Sequence, residues 1–228
     1  MRTAAILPVK HFAQAKQRLG ASVADPLRLE LARAMVGDVL AALTETALIE
    51  CTIVVTGEPS VAELAHAQGA IVLDDTARAG QSAAVNLGIE RALTEGMERA
   101  LCVPGDCPTL DPDELEALLS APRNGEPEVV IVPDRHGTGT NGLLLAPPDA
   151  ISPSFGLGSC ERHRELAIAA EVSWRIERPS SLLLDIDTGE DLAALRARLS
   201  AERLGASRTR AVLDWTAATE RPVSTTPS

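Results

Sequence analysis

Aromatic side chains are almost absent from this sequence: Phe, Trp and Tyr together make up 2% of the 228 residues, and there is no Tyr. Proteins that bind single-stranded nucleic acid stack the bases on aromatic rings, so this chain offers few surfaces for such a ligand. Its net charge of −11 also opposes binding to a nucleic-acid backbone. A single nucleotide is not excluded, because a divalent cation can bridge carboxylates and phosphates.

Several common catalytic signatures are missing as well. There is no G-x-S-x-G nucleophile motif and no G-x-x-x-x-G-K-[ST] phosphate-binding loop. The four cysteines form no C-x-x-C pair, which favours free thiols in a reducing compartment over a zinc site. We predict a catalytic role for none of the four histidines, which are His11, His66, His136 and His163.

Long apolar runs are lacking too. The N-terminal run is too short for a signal peptide, and no stretch approaches the length of a membrane span. We therefore expect a soluble, cytoplasmic protein with no membrane partner. Apolar residues still make up 45% of the chain, so Leu, Val, Ile and Ala must build the core. A chain of this length suits one sizeable α/β domain.

Short apolar runs alternate with segments of helical periodicity, which predicts βαβ units and a parallel sheet. The predicted strands are 3–9, 51–56, 70–73, 100–103, 129–132, 143–146, 172–177 and 182–187. The predicted helices are one that begins at Asp25, then 61–68, 81–95, 112–119 and 160–170, and a last one opened by Thr188. The strand at 143–146 follows its predecessor without a helix between them. That hairpin-like connection predicts one antiparallel strand.

The helical pattern weakens after Ser200. We predict a single domain over 1–200 and a C-terminal extension over 201–228. Residues 219–228 are rich in Thr, Pro and Ser, which is typical of a disordered tail that contributes nothing to the core.

Asp106 occupies the position on which the predicted site depends. The apolar run Ala100–Val103 predicts a strand that ends just before it. A helix should begin soon after, with Asp111 as N-cap, Pro112 at the first helical position and Glu114 completing a capping box. Asp106 is then left at the carboxyl end of the strand, the edge at which open α/β sheets bind ligands. The alternative is an ordinary turn, since Pro, Gly and Asp favour turns anyway.

Two further carboxylates, those of Asp185 and Asp187, stand two residues apart on an apparent strand. Side chains alternate along a strand, so both would leave on one face and Ile186 on the other. Like charges this close repel unless a cation or a donor separates them, and carboxylate oxygens suit Mg²⁺ or Mn²⁺. Asp187 could instead simply precede a helix, whose positive end tolerates it. The combination with Asp106 favours a metal site.

Three cations follow the first predicted strand, namely Lys10, Lys16 and Arg18. They could bind phosphates at the edge of the sheet. The alternative is that Lys16 and Arg18 form a solvated helix face.

Two loops rich in Gly, Ser and Thr, 137–142 and 155–159, present backbone N–H groups and hydroxyls without bulk. Such loops suit small anions. Ser159 is expected to cap the helix that follows, which would add the helix dipole to the site. The alternative is two ordinary loops in a glycine-rich protein.

In combination, these segments resemble the CofC/FbiD guanylyltransferases of coenzyme F-420 biosynthesis. The resemblance runs from about residue 3 to 199 and rests on Ile6–Lys10 with Ala15–Leu19, Pro104–Pro108, Gly137–Asn141, Phe155–Ser159 and Asp185–Thr188. It implies a three-layer MobA-like nucleotidyltransferase fold, an α/β fold with a mostly parallel sheet and one antiparallel strand. The chain departs from the family at Gly80-Gln81-Ser82, where a Gly-Leu-Asn stretch often lies near the base.

The resemblance implies transfer of GMP from GTP to a phosphorylated three-carbon acid, with release of pyrophosphate. Acceptors in the family include phosphoenolpyruvate, 2-phospho-L-lactate and 3-phosphoglycerate. It also implies two Mg²⁺ ions, for which Mn²⁺ can substitute, bound by Asp106, Asp185 and Asp187. The catalytic residues would be Asp106, Lys16 and Arg18; the GTP contacts would be Lys10, Gly80 and Asn86; the acceptor contacts would be Thr140, Gly156 and Ser159.

Related sugar and molybdopterin nucleotidyltransferases carry a glycine-rich loop after the first strand. This chain has Pro8-Val9-Lys10 there, so its pyrophosphate binding should depend on side-chain cations. Three other functions stay open at this point: a nucleotidyltransferase of the sugar-phosphate or molybdopterin type, a glycosyltransferase of similar fold, and a nucleotide-binding domain without activity.

Overall fold

Strands and helices alternate through most of the computed structural model, which describes residues 1–12, 25–75, 79–121, 127–201 and 205–219. The strands are β1 (Thr3–Val9), β2 (Cys51–Thr56), β3 (Ile71–Asp74), β4 (Arg99–Cys102), β5 (Glu128–Pro133), β6 (Thr140–Ala146) and β7 (Ser173–Ile176). The helices are α1 (Asp25–Glu45), α2 (Pro59–Ala67), α3 (Gln81–Thr94), α4 (Pro112–Ser120), α5 (Ser159–Ala169), α6 (Gly189–Ala201) and α7 (Ser207–Thr219). Within these ranges no helix is both long and apolar enough to cross a membrane.

The strands form one seven-stranded sheet in the order β3-β2-β1-β4-β6-β5-β7. The pairs β1–β2, β1–β4, β2–β3 and β5–β7 are parallel, whereas β6 runs antiparallel to both β4 and β5. The predicted mostly parallel sheet with one antiparallel strand is therefore confirmed.

Strand β1 is buried on both faces of the sheet. Leu7 packs in one cluster with Val36 of α1, and Ile6 packs in another with Val85 of α3. Because successive side chains of a strand leave on opposite faces, helices must cover the sheet on both sides. Gly88 lets α3 approach closely, since a Cβ at this position would lie 2.4 Å from Cγ2 of Ile6. The predicted three-layer arrangement follows from this packing.

The prediction of a strand over 182–187 is wrong. A short 3₁₀ helix, Ser180–Leu182, is followed by an irregular segment that pairs with no strand. Its apolar run ends in the alternation Asp185-Ile186-Asp187, as in a strand, but Ile186 packs against helices: it is fully buried in a cluster with Met35 of α1 and Leu192 of α6. Burial by helices thus produces the same sequence pattern as burial in a sheet.

Two predicted caps also differ from the structure. Ser159 is the first residue of α5, and the N-cap is Gly158, whose φ of 72° lies in the left-handed region that glycine tolerates best. Asp111 does cap α4, accepting from the N–H of Asp113 at 2.8 Å. Glu114 does not complete a capping box, because its carboxylate instead accepts from the hydroxyl of Ser180 at 2.7 Å and from the N–H of Ser181 at 2.8 Å.

Helix α7, which the sequence pattern does not predict, packs against α1. Leu213 of α7 lies in one buried cluster with Leu31 of α1. The carboxylate of Asp38 in α1 accepts hydrogen bonds from the backbone N–H groups of Arg208 at 3.0 Å and Thr209 at 2.8 Å. A distant side chain therefore caps the first turn of α7. The remainder of the predicted disordered tail, 220–228, lies outside the described residues.

We predict that Asp38→Ala lowers the free energy of unfolding by about 2 kcal/mol, because two N–H groups of α7 lose a charged acceptor. Asp38→Asn keeps one acceptor oxygen and should lose less. Urea denaturation measures both. Asp214→Ala, on the exposed part of α7, is the matched control. A stability of Asp38→Ala equal to that of this control would contradict the capping role.

Candidate active site

The turn after β4 places Asp106 at the carboxyl end of that strand. The N–H of Val103 donates to the carbonyl oxygen of Ile6 at 3.1 Å, which continues the pairing with β1 to the edge of the sheet. Gly105 lets the turn pack against α1, since a Cβ there would lie 3.0 Å from Cγ2 of Val36. The backbone that carries Asp106 is therefore confined between the sheet and a helix.

The irregular segment with Asp185 and Asp187 runs beside this turn. The N–H of Ile186 donates to the carbonyl oxygen of Asp106 at 3.1 Å. The side chain of Ile186 is fully buried, Asp185 is half-buried and Asp187 is exposed. The predicted arrangement of two carboxylates flanking a buried Ile is thus present, although a loop carries it instead of a strand.

The three carboxylates interact electrostatically. Burial raises the pKa of Asp185, and the negative charges of Asp106 and Asp187 raise it further, whereas a hydrogen bond from Asn141 opposes these effects. In the described part of the chain, no three His, Cys, Asp or Glu side chains form a ready-made metal site. A divalent cation between these carboxylates would relieve their repulsion, and their oxygens are the ligands that Mg²⁺ prefers. The three side chains therefore offer the type of donor atom that Mg²⁺ or Mn²⁺ prefers.

A cleft of about 280 Å³ opens beside the Asp106 turn. The predicted site residues among its lining are Lys10, Gly80, Asp106 and Asp187. Gly80 is the N-cap of α3 and adopts a φ of 101°, and Gln81, which follows it, also lines the cleft. A helix N-terminus and a lysine both attract anions, so this side of the cleft suits phosphate groups.

Of the other residues predicted to contact GTP or to act in catalysis, the structure describes Asn86 but not Lys16 and Arg18. Asn86 is exposed on α3 and does not belong to the lining. Lys16 and Arg18 lie outside the described residues. Their predicted roles remain predictions.

The two glycine-rich loops meet next to the cleft. The hydroxyl of Ser159 donates to Oγ1 of Thr140 at 3.0 Å, and the N–H of Cys160 donates to the carbonyl oxygen of Thr138 at 3.2 Å. Gly156, within the second loop, adopts a φ of 114°, a conformation that favours glycine. Thr140 and Ser159 are only 8% and 1% exposed, and neither lines the main cleft. We call Thr140, Gly156 and Ser159 the loop cluster.

Asn141 connects the loop cluster to the carboxylates. Its Nδ2 donates to the carbonyl oxygen of Leu182 at 2.8 Å and to Oδ1 of Asp185 at 3.2 Å. On the other side, the N–H of Phe155 donates to the hydroxyl of Ser82 in α3 at 2.9 Å. The loop cluster is therefore attached both to the carboxylate segment and to the helix that begins at the cleft.

His163, to which the sequence analysis assigned no role, lies in contact with the loop cluster. Its Nε2 accepts from the N–H of Ser154 at 2.9 Å, and its Nδ1 lies 3.1 Å from Oγ1 of Thr140. Burial, with a smaller effect of the Arg162 charge, lowers its pKa to about 4. The sequence contained one indication of this contact: His163 lies one helical turn after Ser159, which places the two side chains on the same face of α5.

Asp191 fixes the segment that carries Asp187. Its Oδ2 accepts from the hydroxyl of Thr188 at 2.7 Å and from the N–H groups of Thr188 at 2.7 Å and Asp187 at 3.1 Å. Arg135 pairs with its other oxygen at 2.7 Å. Burial alone would raise the pKa of Asp191, but these hydrogen bonds outweigh it and keep the pKa below its usual value. The predicted opening of a helix at Thr188 is confirmed for α6, because the N–H of Asp191 donates to the hydroxyl of Thr188 at 3.2 Å.

A family model described as "Guanylyl transferase CofC like" matches residues 3–199. The chain belongs to this family. Among relatives of the CofC-like protein, the phosphoenolpyruvate guanylyltransferase of Conexibacter woesei is 49% identical over 214 residues, which cover 94% of this chain and 96% of that one. The enzyme of the same name from Sphaerobacter thermophilus is 38% identical over 196 residues, covering 86% and 93%.

Solved structures support the fold of this CofC-like chain. A Desulfovibrio desulfuricans protein described as a nucleotide-diphospho-sugar transferase has a TM-score of 0.71 at 19% identity, with 96% of each chain covered. A nucleotidyl transferase from Methanothermobacter has a TM-score of 0.63 at 19% identity, covering 88% of this chain and 99% of its own. The predicted nucleotidyltransferase fold is confirmed, and the protein is a nucleotidyltransferase.

The low pKa of His163 predicts a pH-dependent stability. The folded-state pKa of about 4 lies below the ordinary value of 6.5, so the unfolded chain binds more protons between these pH values. Stability should therefore fall as the pH decreases from 6.5 towards 4, by about 2 kcal/mol at pH 5.

In His163→Gln this contribution is absent, because an amide does not titrate, while the Gln oxygen can still accept from Ser154. Urea unfolding at pH 7 and pH 5 should show a smaller loss of stability in the variant than in the wild type. An equal loss in both proteins would show that His163 does not carry the effect.

Proposed function

We propose that this protein transfers GMP from GTP to phosphoenolpyruvate, or to another phosphorylated three-carbon acid, and releases pyrophosphate. The observation that carries the proposal is the group of three interacting carboxylates beside a cleft with a lysine and a helix N-terminus. The names of the relatives support the acceptor. A place in coenzyme F-420 biosynthesis is proposed from the family resemblance.

The chemistry requires little of the protein beyond positioning and charge. The phosphate oxygen of the acceptor attacks the α-phosphorus of GTP in line, and pyrophosphate leaves. A phosphate is already ionised at neutral pH, so no general base is needed to generate the nucleophile. Asp106, Asp185 and Asp187 would hold Mg²⁺, which supplies charge neutralisation at the phosphates.

The donor would bind in the cleft. Lys10 and the first N–H groups of α3, next to Gly80, would bind the phosphates of GTP. Lys16 and Arg18 are proposed to add positive charge there. Asn86 does not line the cleft, and its contact with GTP stays a prediction.

The acceptor would lie between the carboxylates and the loop cluster. Its phosphate must face the carboxylates, because it is the nucleophile. Its carboxylate then needs donors a few ångströms away, and Thr140, Gly156 and Ser159 offer hydroxyl and backbone N–H groups. Asn141 ensures the proximity of the two regions through its hydrogen bond to Asp185.

The direct test is mass spectrometry of the products formed with Mg²⁺ from each of GTP, ATP, CTP and UTP. Each nucleotide is combined with phosphoenolpyruvate, 2-phospho-L-lactate or 3-phosphoglycerate, and pyrophosphate is measured in parallel. We expect a guanylylated three-carbon acid and stoichiometric pyrophosphate. A different preferred nucleotide would contradict the proposal. In parallel reactions with a nucleotide sugar as donor, transfer without release of pyrophosphate would indicate a glycosyltransferase.

We predict that activity requires Mg²⁺ or Mn²⁺ and that Asp106→Asn lowers kcat about a hundredfold or more, because a metal ligand is lost from the transition state. Steady-state kinetics measure the effect. Asp113→Asn is the matched control, since this residue is exposed on the neighbouring helix α4. Wild-type turnover by a folded Asp106→Asn protein would refute the assignment.

Ser159→Ala and Thr140→Ala should each raise the KM for the acceptor and leave the KM for GTP nearly unchanged. A lost hydrogen bond to a charged group costs about 1.5–3 kcal/mol, which corresponds to roughly a tenfold to hundredfold increase. Circular dichroism checks that both variants fold. If they weakened GTP binding and spared the acceptor, the loop cluster would belong to the other substrate.

A further inference from the structure

The imidazole of His163 is held in one tautomer by its contacts. A backbone N–H can only donate, so the hydrogen bond from Ser154 at 2.9 Å requires a lone pair on Nε2. The neutral ring then carries its proton on Nδ1. The side chain has no exposed surface, and its lowered pKa keeps it neutral at physiological pH.

This tautomer determines the hydrogen bond to the loop cluster. Nδ1 lies 3.1 Å from Oγ1 of Thr140, so the His163 N–H donates and the Thr140 oxygen accepts. Thr140 and Ser159 share one further hydrogen bond at 3.0 Å. Neither hydroxyl makes another hydrogen bond to the described residues.

A count of protons shows the consequence. The Thr140–Ser159 pair has two hydroxyl protons and uses one of them in the bond between them. Because His163 donates to the pair, the second proton is left for a ligand. In the opposite tautomer Nδ1 would accept the Thr140 proton, Ser159 would donate to Thr140, and no hydroxyl proton would remain.

We propose that His163 is a positioning residue of the acceptor site, whose Nδ1–H makes the Thr140–Ser159 pair a net donor towards the carboxylate of the acceptor. An anion requires donors, and lone pairs presented at the same place would repel it. This inference rests on the proposed function. It adds a buried residue that does not contact the substrate but determines whether a hydroxyl proton of the pair is available to it.

Two amide variants test the hydrogen bonds of the two ring nitrogens of His163 separately. In His163→Asn the amide nitrogen occupies the place of Nδ1 and can donate to Thr140. In His163→Gln the amide oxygen occupies the place of Nε2 and can accept from Ser154, but no donor faces Thr140. Both side chains are smaller than His and carry the same group, so each controls for the other's loss of packing.

Steady-state kinetics are then measured with GTP and phosphoenolpyruvate. In His163→Gln the second hydroxyl proton is still present, but no donor holds the Thr140 oxygen, so this proton is no longer directed towards the ligand. We therefore expect His163→Gln to raise the KM for phosphoenolpyruvate by about tenfold and His163→Asn by no more than about threefold. The KM for GTP should stay the same in both variants. An equal KM for phosphoenolpyruvate in the two variants would overturn the inference.

NMR spectroscopy of the wild-type protein gives a readout without turnover. Correlation spectra of protein labelled with ¹⁵N-histidine distinguish protonated from unprotonated ring nitrogens. The His163 signals are assigned in a protein in which His11, His66 and His136 are replaced by Gln, so that His163 is the only histidine left. We expect the proton on Nδ1 at pH 7 and a shift of its signal on addition of phosphoenolpyruvate. A proton on Nε2, or a signal that phosphoenolpyruvate leaves unmoved, would overturn the inference even if neither variant folded.

The two proposals fail in different ways. A wild-type protein that guanylylates no three-carbon acid refutes the proposed function. An active wild type with indistinguishable Asn and Gln variants leaves that function intact and removes only the role of His163.

Discussion

The repulsion among three carboxylates at one edge of the sheet is the constraint on which the rest of the site depends. The pKa of Asp185 is raised by its burial and by the charges of Asp106 and Asp187. The folded chain therefore keeps these groups close together at a cost in free energy. Interactions around the site offset that cost. Ile186 is buried and bonded through its N–H to the Asp106 backbone, and Asp191 binds the N–H of Asp187. The carboxylates are thus positioned by neighbours whose own interactions are satisfied.

The antiparallel strand explains why the loop cluster lies next to these carboxylates. Cys102 at the end of β4 pairs with Leu143 of β6. In an antiparallel pair the first residues of one strand lie beside the last residues of the other. Thr140 and Asn141 at the start of β6 are therefore brought to the edge where β4 ends and Asp106 follows. A parallel strand in this position would have placed them at the opposite edge.

Structural elements that depend on a local sequence pattern were predicted correctly, whereas features that depend on contacts between distant residues were missed. Strand β1 and the turn at Asp106 follow from apolar runs and turn residues, and they were predicted correctly. The segment 182–187 was misread because burial of Ile186 against helices gives the same alternation as a strand. Helix α7 depends on a cap from Asp38, far away in the sequence. The contact of His163 with Thr140 depends on the meeting of two loops, which periodicity does not report.

The proposed recognition of a carboxylate by neutral donors agrees with the hydrogen bonds made by Arg162, a cation close to the loop cluster. The guanidinium of Arg162 binds the loop that precedes α5. Its Nε donates to the hydroxyl of Ser154 at 3.2 Å, its Nη2 to the carbonyl oxygen of Ser154 and its Nη1 to that of Leu157. Its donors therefore fix the shape of the loop around Gly156. Its charge also lowers the pKa of His163 and so helps to keep the ring neutral. In the proposed acceptor site the role of Arg162 would thus be indirect, because a neutral His163 can accept from Ser154 and donate to Thr140 at the same time.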